Sequence, residues 1–400
     1  MHVLCVDEEV PFPLNTGKRL RTYNLLKRLQ EGHRVTFLCY GTGNEELPDC
    51  PHVKLVVLRS PLLEQKGGLF YLSLLRNVVS PLPYVVVRHY SHAMRSATEA
   101  LLAHGDIDLI HCEWTPYTEN VRHVLGRVPS VLSAHNVEAQ IWERYYRTER
   151  NPVKKGYIYL QWQKMLDYER QASRLYGEVA VVSEPDRRVF EDDYGCRRVM
   201  VVENGVDERY FEPQDVLVKP NSMVFTGSMD WRPNQDGVRY FIEEIFPAVK
   251  RTLPDATFTV VGRNPPRWLA DLAHSCPGVA VTGTVDDVRP FIAESALYVV
   301  PLRVGGGSRL KILEALSMEK PVLSTTIGAE GLAVEDGTHL LVRDGTEPFA
   351  AAAVEMLTRP HRFGQLGASG RGLIMRHYTW DALAVKMARV WQKAVTSYHV

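Results

Sequence analysis

The stretch Gly305-Gly306-Gly307-Ser308-Arg309-Leu310-Lys311-Ile312-Leu313-Glu314-Ala315-Leu316 decides the fold class of this chain. Before it stands the apolar run Ala296-Leu297-Tyr298-Val299-Val300-Pro301-Leu302, which reads as a buried parallel strand. Three glycines let the backbone turn tightly and approach a ligand closely. Ser308 is a natural N-cap, and the apolar face Leu310, Leu313, Leu316 predicts a helix over 308–318. A strand, a glycine loop and a helix start aim unpaired N–H groups at one point, which suits a phosphate. Glu314 falls about one and a half turns into that helix, where a carboxylate can accept hydrogen bonds from sugar hydroxyls.

Outward from this segment, short apolar runs alternate with helical patterns to both ends. The strands expected in the first half are 2–6, 34–39, 53–58, 108–112, 129–133 and 178–182. Those in the second half are 199–202, 222–226, 256–261, 278–282, 297–301, 321–325 and 339–342. Helices are expected at 18–31, 91–103, 157–173, 234–251 and 308–318, with an amphipathic one from Trp380 to Tyr398. The alternation predicts an α/β chain of two doubly wound, Rossmann-like domains. A length of 400 residues agrees, since it exceeds one ordinary core. Glu203-Asn204-Gly205-Val206-Asp207 marks the boundary, followed by the polar stretch Glu212-Pro213-Gln214-Asp215.

Lys plus Arg and Asp plus Glu both number 47, so no global field recruits nucleic acid. The six cysteines are scattered without a C-x-x-C pair, which fits reduced thiols in a cytoplasm and neither a disulfide framework nor a zinc site. Met1 to Val6 reads as a strand and not as a signal peptide, and no apolar run reaches about 18 residues.

Two such domains place ligands at the carboxyl ends of their strands. In the second half those ends are Gly227-Ser228-Met229-Asp230-Trp231-Arg232, Gly262-Arg263, Gly283-Thr284-Val285 and the triple glycine. Arg232, Arg309 and Lys311 offer cations for a diphosphate. The plain alternative is turn glycines and solvated charges, which serves for one loop better than for all four.

As a set, these segments resemble the retaining GT-B glycosyltransferases of family 4, also called group 1. The resemblance rests on Glu203 to Asp207, Phe225-Thr226-Gly227-Ser228-Met229-Asp230-Trp231-Arg232-Pro233-Asn234, Val260-Val261-Gly262-Arg263, Gly283-Thr284-Val285, the glycine segment through Leu316, and Lys320-Pro321-Val322-Leu323-Ser324-Thr325-Thr326. Asn15-Thr16-Gly17, Ile110-His111-Cys112-Glu113-Trp114 and Ser133-Ala134-His135-Asn136-Val137-Glu138 are consistent with it in the first half. The variant set is similar to a bacterial branch linked to exopolysaccharide assembly.

The resemblance implies two domains facing a cleft: an acceptor-side domain over 1–205, a donor domain over 206–378, and a helix over 379–400 returning to the first. It implies a nucleotide-diphosphate sugar as co-substrate, with no cofactor and no metal. Glu314 would hold the ribose. The backbone around Gly306, Gly307, Ser308, Arg309 and Leu310 would meet the diphosphate or sugar, with Gly227, Ser228, Gly262 and Arg263 beside them. Gly283 and Val285 would hold the base, Gly17 would approach the donor, and His135 would lie close to the transferred sugar. Two departures stand out. Gly306 occupies the place of a family glutamate, so Glu138 or a water would supply that contact. Ser228 replaces a family arginine and Pro233 stands near its lysine, so Arg232, Arg309 or Lys311 would substitute.

Other residues read more plainly. Asp106-Ile107-Asp108 has a metal-binding spacing but begins a strand, so it is a turn and cap. His89 and His92 lack a third ligand and are expected on the surface. Asp7-Glu8-Glu9 could touch an acceptor, and a solvated loop is the plainer expectation. Residues 59–95 carry Arg59, Lys66, Arg76, Arg88 and Arg95 against Glu64 alone, around Leu69-Phe70-Tyr71-Leu72-Ser73-Leu74-Leu75. That mixture suits an anionic membrane surface, where a lipid-linked acceptor would be met; a helix packed on the first domain is the alternative.

The expected activity is therefore retaining transfer of a hexosyl unit from a nucleotide-diphosphate sugar to a glycan or lipid-linked glycan, in a cytoplasmic, membrane-peripheral enzyme of bacterial polysaccharide synthesis. His135, Glu138, Arg232 and Lys311 are the residues expected to carry the chemistry. A sugar-nucleotide epimerase of the same architecture and a non-catalytic nucleotide-sugar-binding subunit are the rival readings.

Overall fold

β-Branched and aliphatic runs too short for helices can bury both faces only inside a parallel sheet covered by helices. The computed structural model, which describes residues 1–43, 45–59, 68–304 and 309–398, contains two such sheets. Its strands are β1 (His2–Val6), β2 (Arg34–Gly41), β3 (Val53–Arg59), β4 (Leu109–Cys112), β5 (Ser130–Ala134), β6 (Glu178–Val181), β7 (Val199–Val201), β8 (Lys219–Thr226), β9 (Thr257–Val261), β10 (Val279–Val281), β11 (Ser295–Val300), β12 (Val322–Ser324) and β13 (Leu341–Val342). Every expected run is a strand, with ends shifted by three residues at most.

The chain divides into two compact units. One comprises Met1–Glu203 with Leu383–Val400, the other Asn204–Ala382. The breaks expected from the sequence lie after residues 205 and 378. The C-terminal helix, Trp380–Tyr398, belongs from Leu383 onward to the first unit, where Lys386 Nζ meets Glu203 Oε2 at 2.7 Å.

In the first unit the strand order is β3-β2-β1-β4-β5-β6-β7, and in the second β10-β9-β8-β11-β12-β13. All pairings are parallel; Val3, for example, lies between Val35 and Leu109. Both orders reverse beside their first strand, between β1 and β4 and between β8 and β11. Strand ends splay their connections to opposite faces there, leaving a crevice above the carboxyl ends. The cores follow the same plan. Leu4, Ile110, Leu132 and Val181 are buried in the first, and Val224, Phe225, Val260, Val299 and Leu323 in the second.

Two local expectations change. The helix expected over 234–251 is Arg232–Tyr240, a wide π turn at Phe241–Ile245, then Phe246–Thr252. Pro247 has no N–H to continue the ladder, so the hydrogen bonding loosens just before it. The helix after the triple glycine runs Leu310–Ser317 with Arg309 at the cap position. Gly305, Gly306, Gly307 and Ser308 lie outside the described residues, and with them the expected glycine cradle and Ser308 cap.

Asp106-Ile107-Asp108 is the expected strand cap. Asp108 Oδ2 accepts from the His2 backbone N–H at 2.7 Å, and Asp106 meets the His2 ring and Arg34. All six cysteines are free thiols. Among the described residues no helix is long and apolar enough to cross a membrane, and no three or more His, Cys, Asp or Glu side chains gather as metal ligands do.

Candidate active site

The β8–β11 switch point of the second unit gathers residues from four segments. β8 ends at Thr226, and Gly227 turns the chain with φ +155°. A Cβ there would stand 2.8 Å from both Lys311 Nζ and Asn234 Nδ2. Glycine is therefore needed to admit the Lys311 side chain. Its ammonium donates to Asn234 Oδ1 at 2.7 Å and lies 4.1 Å over the Phe225 ring. Asn234 in turn donates to the Ser228 carbonyl at 2.8 Å, which ties the loop to the lysine.

Gly262, after β9, packs backbone on backbone. A Cβ on it would fall 1.8 Å from the Gly227 carbonyl oxygen. The neighbouring Arg263 donates Nε to Ser228 Oγ at 2.9 Å, and Ser228 donates to Asp230 at 2.5 Å. The expected donor-loop residues Gly227, Ser228, Gly262 and Arg263 are thus one joined surface. Arg232 begins its helix exposed, with no hydrogen bond or ion pair from its side chain among the described residues. Gly283 (φ +73°) turns the chain after β10 with open space where a Cβ would project, and Val285 packs partly buried on the core.

Glu314 is partly buried on the same helix as Lys311, and its carboxylate accepts no hydrogen bond from the described residues. Burial pushes it up to about 7, with Lys311 pulling the other way. Burial likewise pushes the Lys311 ammonium down to about 7, against the attraction of Glu314. Arg309 is buried, and its guanidinium is ion-paired with Glu330 at 3.2 Å. Leu310 opens the helix, partly buried.

The β1–β4 switch point of the first unit holds a second cluster, and here the sequence reading needs correcting. Asp7 is buried and Glu8 largely so, because both bind Lys18, at 2.5 and 2.8 Å. Burial raises Asp7 in spite of Lys18. His89 is not a surface residue. Its Nδ1 donates to the Val85 carbonyl at 2.7 Å, its Nε2 lies 3.7 Å from Glu8, and its ring edge meets Trp114. His92 is exposed as expected. Gly17 is exposed at the start of the Gly17–Leu29 helix, capped by Thr16.

His135 follows β5, and its Nε2 lies 3.0 Å from Glu113 Oε2. Burial lowers its basicity, with Glu113 opposing. Glu138 starts the Glu138–Thr148 helix, buried, and accepts the Trp114 indole N–H at 2.9 Å. Burial raises its carboxyl. Sequence reading missed Glu169. From the Pro152–Ser173 helix it accepts the backbone N–H groups of Glu138 and Ala139 at 3.0 and 3.1 Å, capping the helix that presents Glu138. A glutamate inside an amphipathic helix carries no sign that it caps a helix 31 residues away.

Two family models cover most of the chain. "Glycosyltransferase Family 4" matches residues 19–210 and "Glycosyl transferases group 1" matches residues 220–359. An uncharacterized 44.6 kDa protein in the cps region of Klebsiella pneumoniae is 22% identical over 364 residues, 87% of this chain and 89% of that protein. A GDP-mannose-dependent alpha-(1-6)-phosphatidylinositol monomannoside mannosyltransferase of Mycobacterium tuberculosis is 31% identical over 157 residues, 36% of this chain and 40% of that one. Among solved structures, a sucrose-phosphate synthase from Thermosynechococcus elongatus superposes with a TM-score of 0.71 at 16% identity, over 98% of each chain, and so shares the fold.

Proposed function

We propose, for a chain that belongs to the group 1 and family 4 glycosyltransferases of GT-B fold and so acts on nucleotide-sugar donors, that it transfers a hexosyl unit with retention to a glycan or lipid-linked glycan. The observation that carries this reading is the pair on the Leu310–Ser317 helix. Lys311 and Glu314 are partly buried at a switch point, each shifted by burial toward its neutral form. A fold tolerates such a pair where a ligand supplies what water no longer does.

In this reading the diphosphate meets Lys311 and Arg232, and Glu314 accepts the ribose hydroxyls. Gly283 and Val285 flank the base. Gly227, Ser228, Gly262 and Arg263 line the donor loops, and Gly17, His135 and Glu138 serve the sugar. As the glycosidic bond breaks, charge gathers on the leaving diphosphate. Cations already in place stabilise it without reorganising. The acceptor hydroxyl attacks on the face the diphosphate leaves and gives its proton to the departing phosphate oxygen. No carboxylate nucleophile is then required. The relatives suggest polysaccharide synthesis, the cps-region protein by its name, and a mannosyl donor is one candidate from the mycobacterial name.

A thermal-shift panel of nucleoside diphosphates and their sugars tests the donor site. The matching donor at about 100 times its Kd adds about 2.7 kcal/mol of stability. Glu314→Ala is expected to weaken that donor about 10- to 100-fold, the worth of one charge-assisted hydrogen bond, and so to leave about 1.4 to 0.4 kcal/mol of that stabilisation. A full shift in the variant refutes the ribose assignment. Incubating donor without acceptor separates the epimerase reading, since an epimerised nucleotide sugar would contradict transfer.

A cytoplasmic, membrane-peripheral setting rests on the Gly68–Val78 helix and the residue after it. Tyr71, Leu72, Leu75, Val78 and Val79 recur at helical spacing and are exposed, Leu75 by 67% and Val79 by 88%. No Asp or Glu occurs between residues 65 and 98, while Arg76, Arg88 and Arg95 are exposed. An exposed apolar stripe in a segment whose charged residues are all cations fits an anionic bilayer. The protein is expected to float with anionic vesicles at low salt and Leu75→Glu to stay behind. Failure of the wild type to float ends this part of the proposal.

A further inference from the structure

We propose that Trp391, His111 and Glu113 form a positioning chain that holds His135 as its Nε2–H tautomer and leaves Nδ1 as a bare acceptor for a hydroxyl of the donor sugar. The sugar contact rests on the function proposed above; the tautomer does not.

The proton positions follow from donor and acceptor chemistry, beginning at the C-terminal helix. An indole nitrogen only donates. Trp391 Nε1 lies 2.7 Å from His111 Nδ1, both buried, so that ring nitrogen accepts and carries no proton. The His111 proton is therefore on Nε2, which lies 3.2 Å from Glu113 Oε1, off the ideal hydrogen-bond direction. Glu113 is 6% exposed. Burial opposes its charge, yet the His111 and His135 rings hold it well below the ordinary carboxylate range. An ionised carboxylate only accepts, so His135 Nε2, 3.0 Å from Glu113 Oε2, must bring a hydrogen. A neutral imidazole has one N–H, and burial favours the neutral ring. Nδ1 is then without a proton, and no described residue bonds to it.

Packing alone would explain part of this. The Trp391 ring also meets His33 and His111 edge-on, as core aromatics do. Packing does not, however, account for a chain of polar contacts running from Trp391 through His111 and Glu113 to His135. Here the relay ends on an open nitrogen at the carboxyl end of β5, where the sheet presents ligands.

Glu113→Gln tests the relay because an amide has one accepting and one donating end. His111, with Nδ1 held by Trp391, needs the accepting end. The amide N–H group then faces His135 and forces its proton to Nδ1. Two-dimensional ¹H–¹⁵N spectra of the histidine rings are expected to show Nε2–H for His135 in the wild type and Nδ1–H in Glu113→Gln. Transfer in that variant is expected to fall about 10- to 100-fold in kcat, the usual effect of a lost orienting partner, with the nucleoside diphosphate thermal shift unchanged. Glu113→Asp, which still only accepts, should keep the Nε2–H tautomer. Adding Trp391→Phe to Glu113→Gln frees His111 to reverse its proton, so His135 returns in part to Nε2–H and kcat rises about threefold over the single variant.

An Nδ1–H ring in the wild type, or an unchanged tautomer in Glu113→Gln, overturns the proposal. A double variant no better than Glu113→Gln removes Trp391 from the relay. A switched tautomer with undiminished kcat upholds the positioning and refutes the sugar contact instead.

Discussion

Lys311→Met is expected to lower kcat about 10²- to 10³-fold, the range for losing one preorganised group that stabilises a developing anion. The lysine is suited to that role because its ammonium is already placed by Asn234 Oδ1 and the Phe225 ring. It gives up water to stay there, which is why burial pushes it down to about 7. That displacement fixes the sign of two further observables. A lysine whose folded value lies below its unfolded one destabilises the fold as pH drops from about 10 through 7. The variant should therefore equal or exceed wild type in stability near pH 7, by roughly 1–2 kcal/mol after allowance for solvent near the site. A bound diphosphate restores the charge, so binding should take up protons near pH 7.5, read by calorimetry in buffers of different ionisation enthalpy. Met should abolish the uptake. Unchanged kcat in Lys311→Met would remove the residue from the chemistry.

Gly262→Ala is expected to cost about 4 kcal/mol or more, enough to lose the second unit from the soluble fraction or shift its urea midpoint severely. The new methyl would fall 1.8 Å from the Gly227 carbonyl oxygen. A flexible side chain could swing away from such a clash, but this neighbour is main chain. It is held by the Gly227 N–H to Val261 carbonyl bond at 2.9 Å and by the Met229 N–H to Arg263 carbonyl bond at 2.9 Å. Relief would pull apart the loops that seat Lys311. Gly283→Ala is the control. Its space is open and only the φ of +73° is unfavourable, so about 1 kcal/mol is expected. Equal tolerance of both substitutions would contradict the packing argument.

The same loops show how far a sequence can be read. Gly227 and Gly262 stand out as strand-end glycines, and the runs around them could only be buried parallel strands. Their opposition, one carbonyl lodged where the other's Cβ would be, has no local signature. Arg309 and Lys311 look alike in sequence as cations near a glycine loop. Glu330, 21 residues on, pairs with the first, and Asn234, 77 residues back, accepts from the second. Asp7, Glu8 and His89 read as surface polar residues because one chain does not reveal that Lys18 and Trp114 enclose them. Glu113 gave no decisive signal, since its meaning depends on two histidines and, through His111, on a tryptophan 278 residues later.

By itself the sequence determined the strand set, the two doubly wound units and the kind of ligand their strand ends suit. Alternation and glycine placement are local properties, and local sterics and burial enforce them. The tertiary structure alone decided which charges are paired, which are stripped of water, and which nitrogen of His135 is left to accept. Those outcomes depend on desolvation and on partners brought together across dozens to hundreds of residues. Electrostatics in a buried site is set by the neighbours the fold supplies.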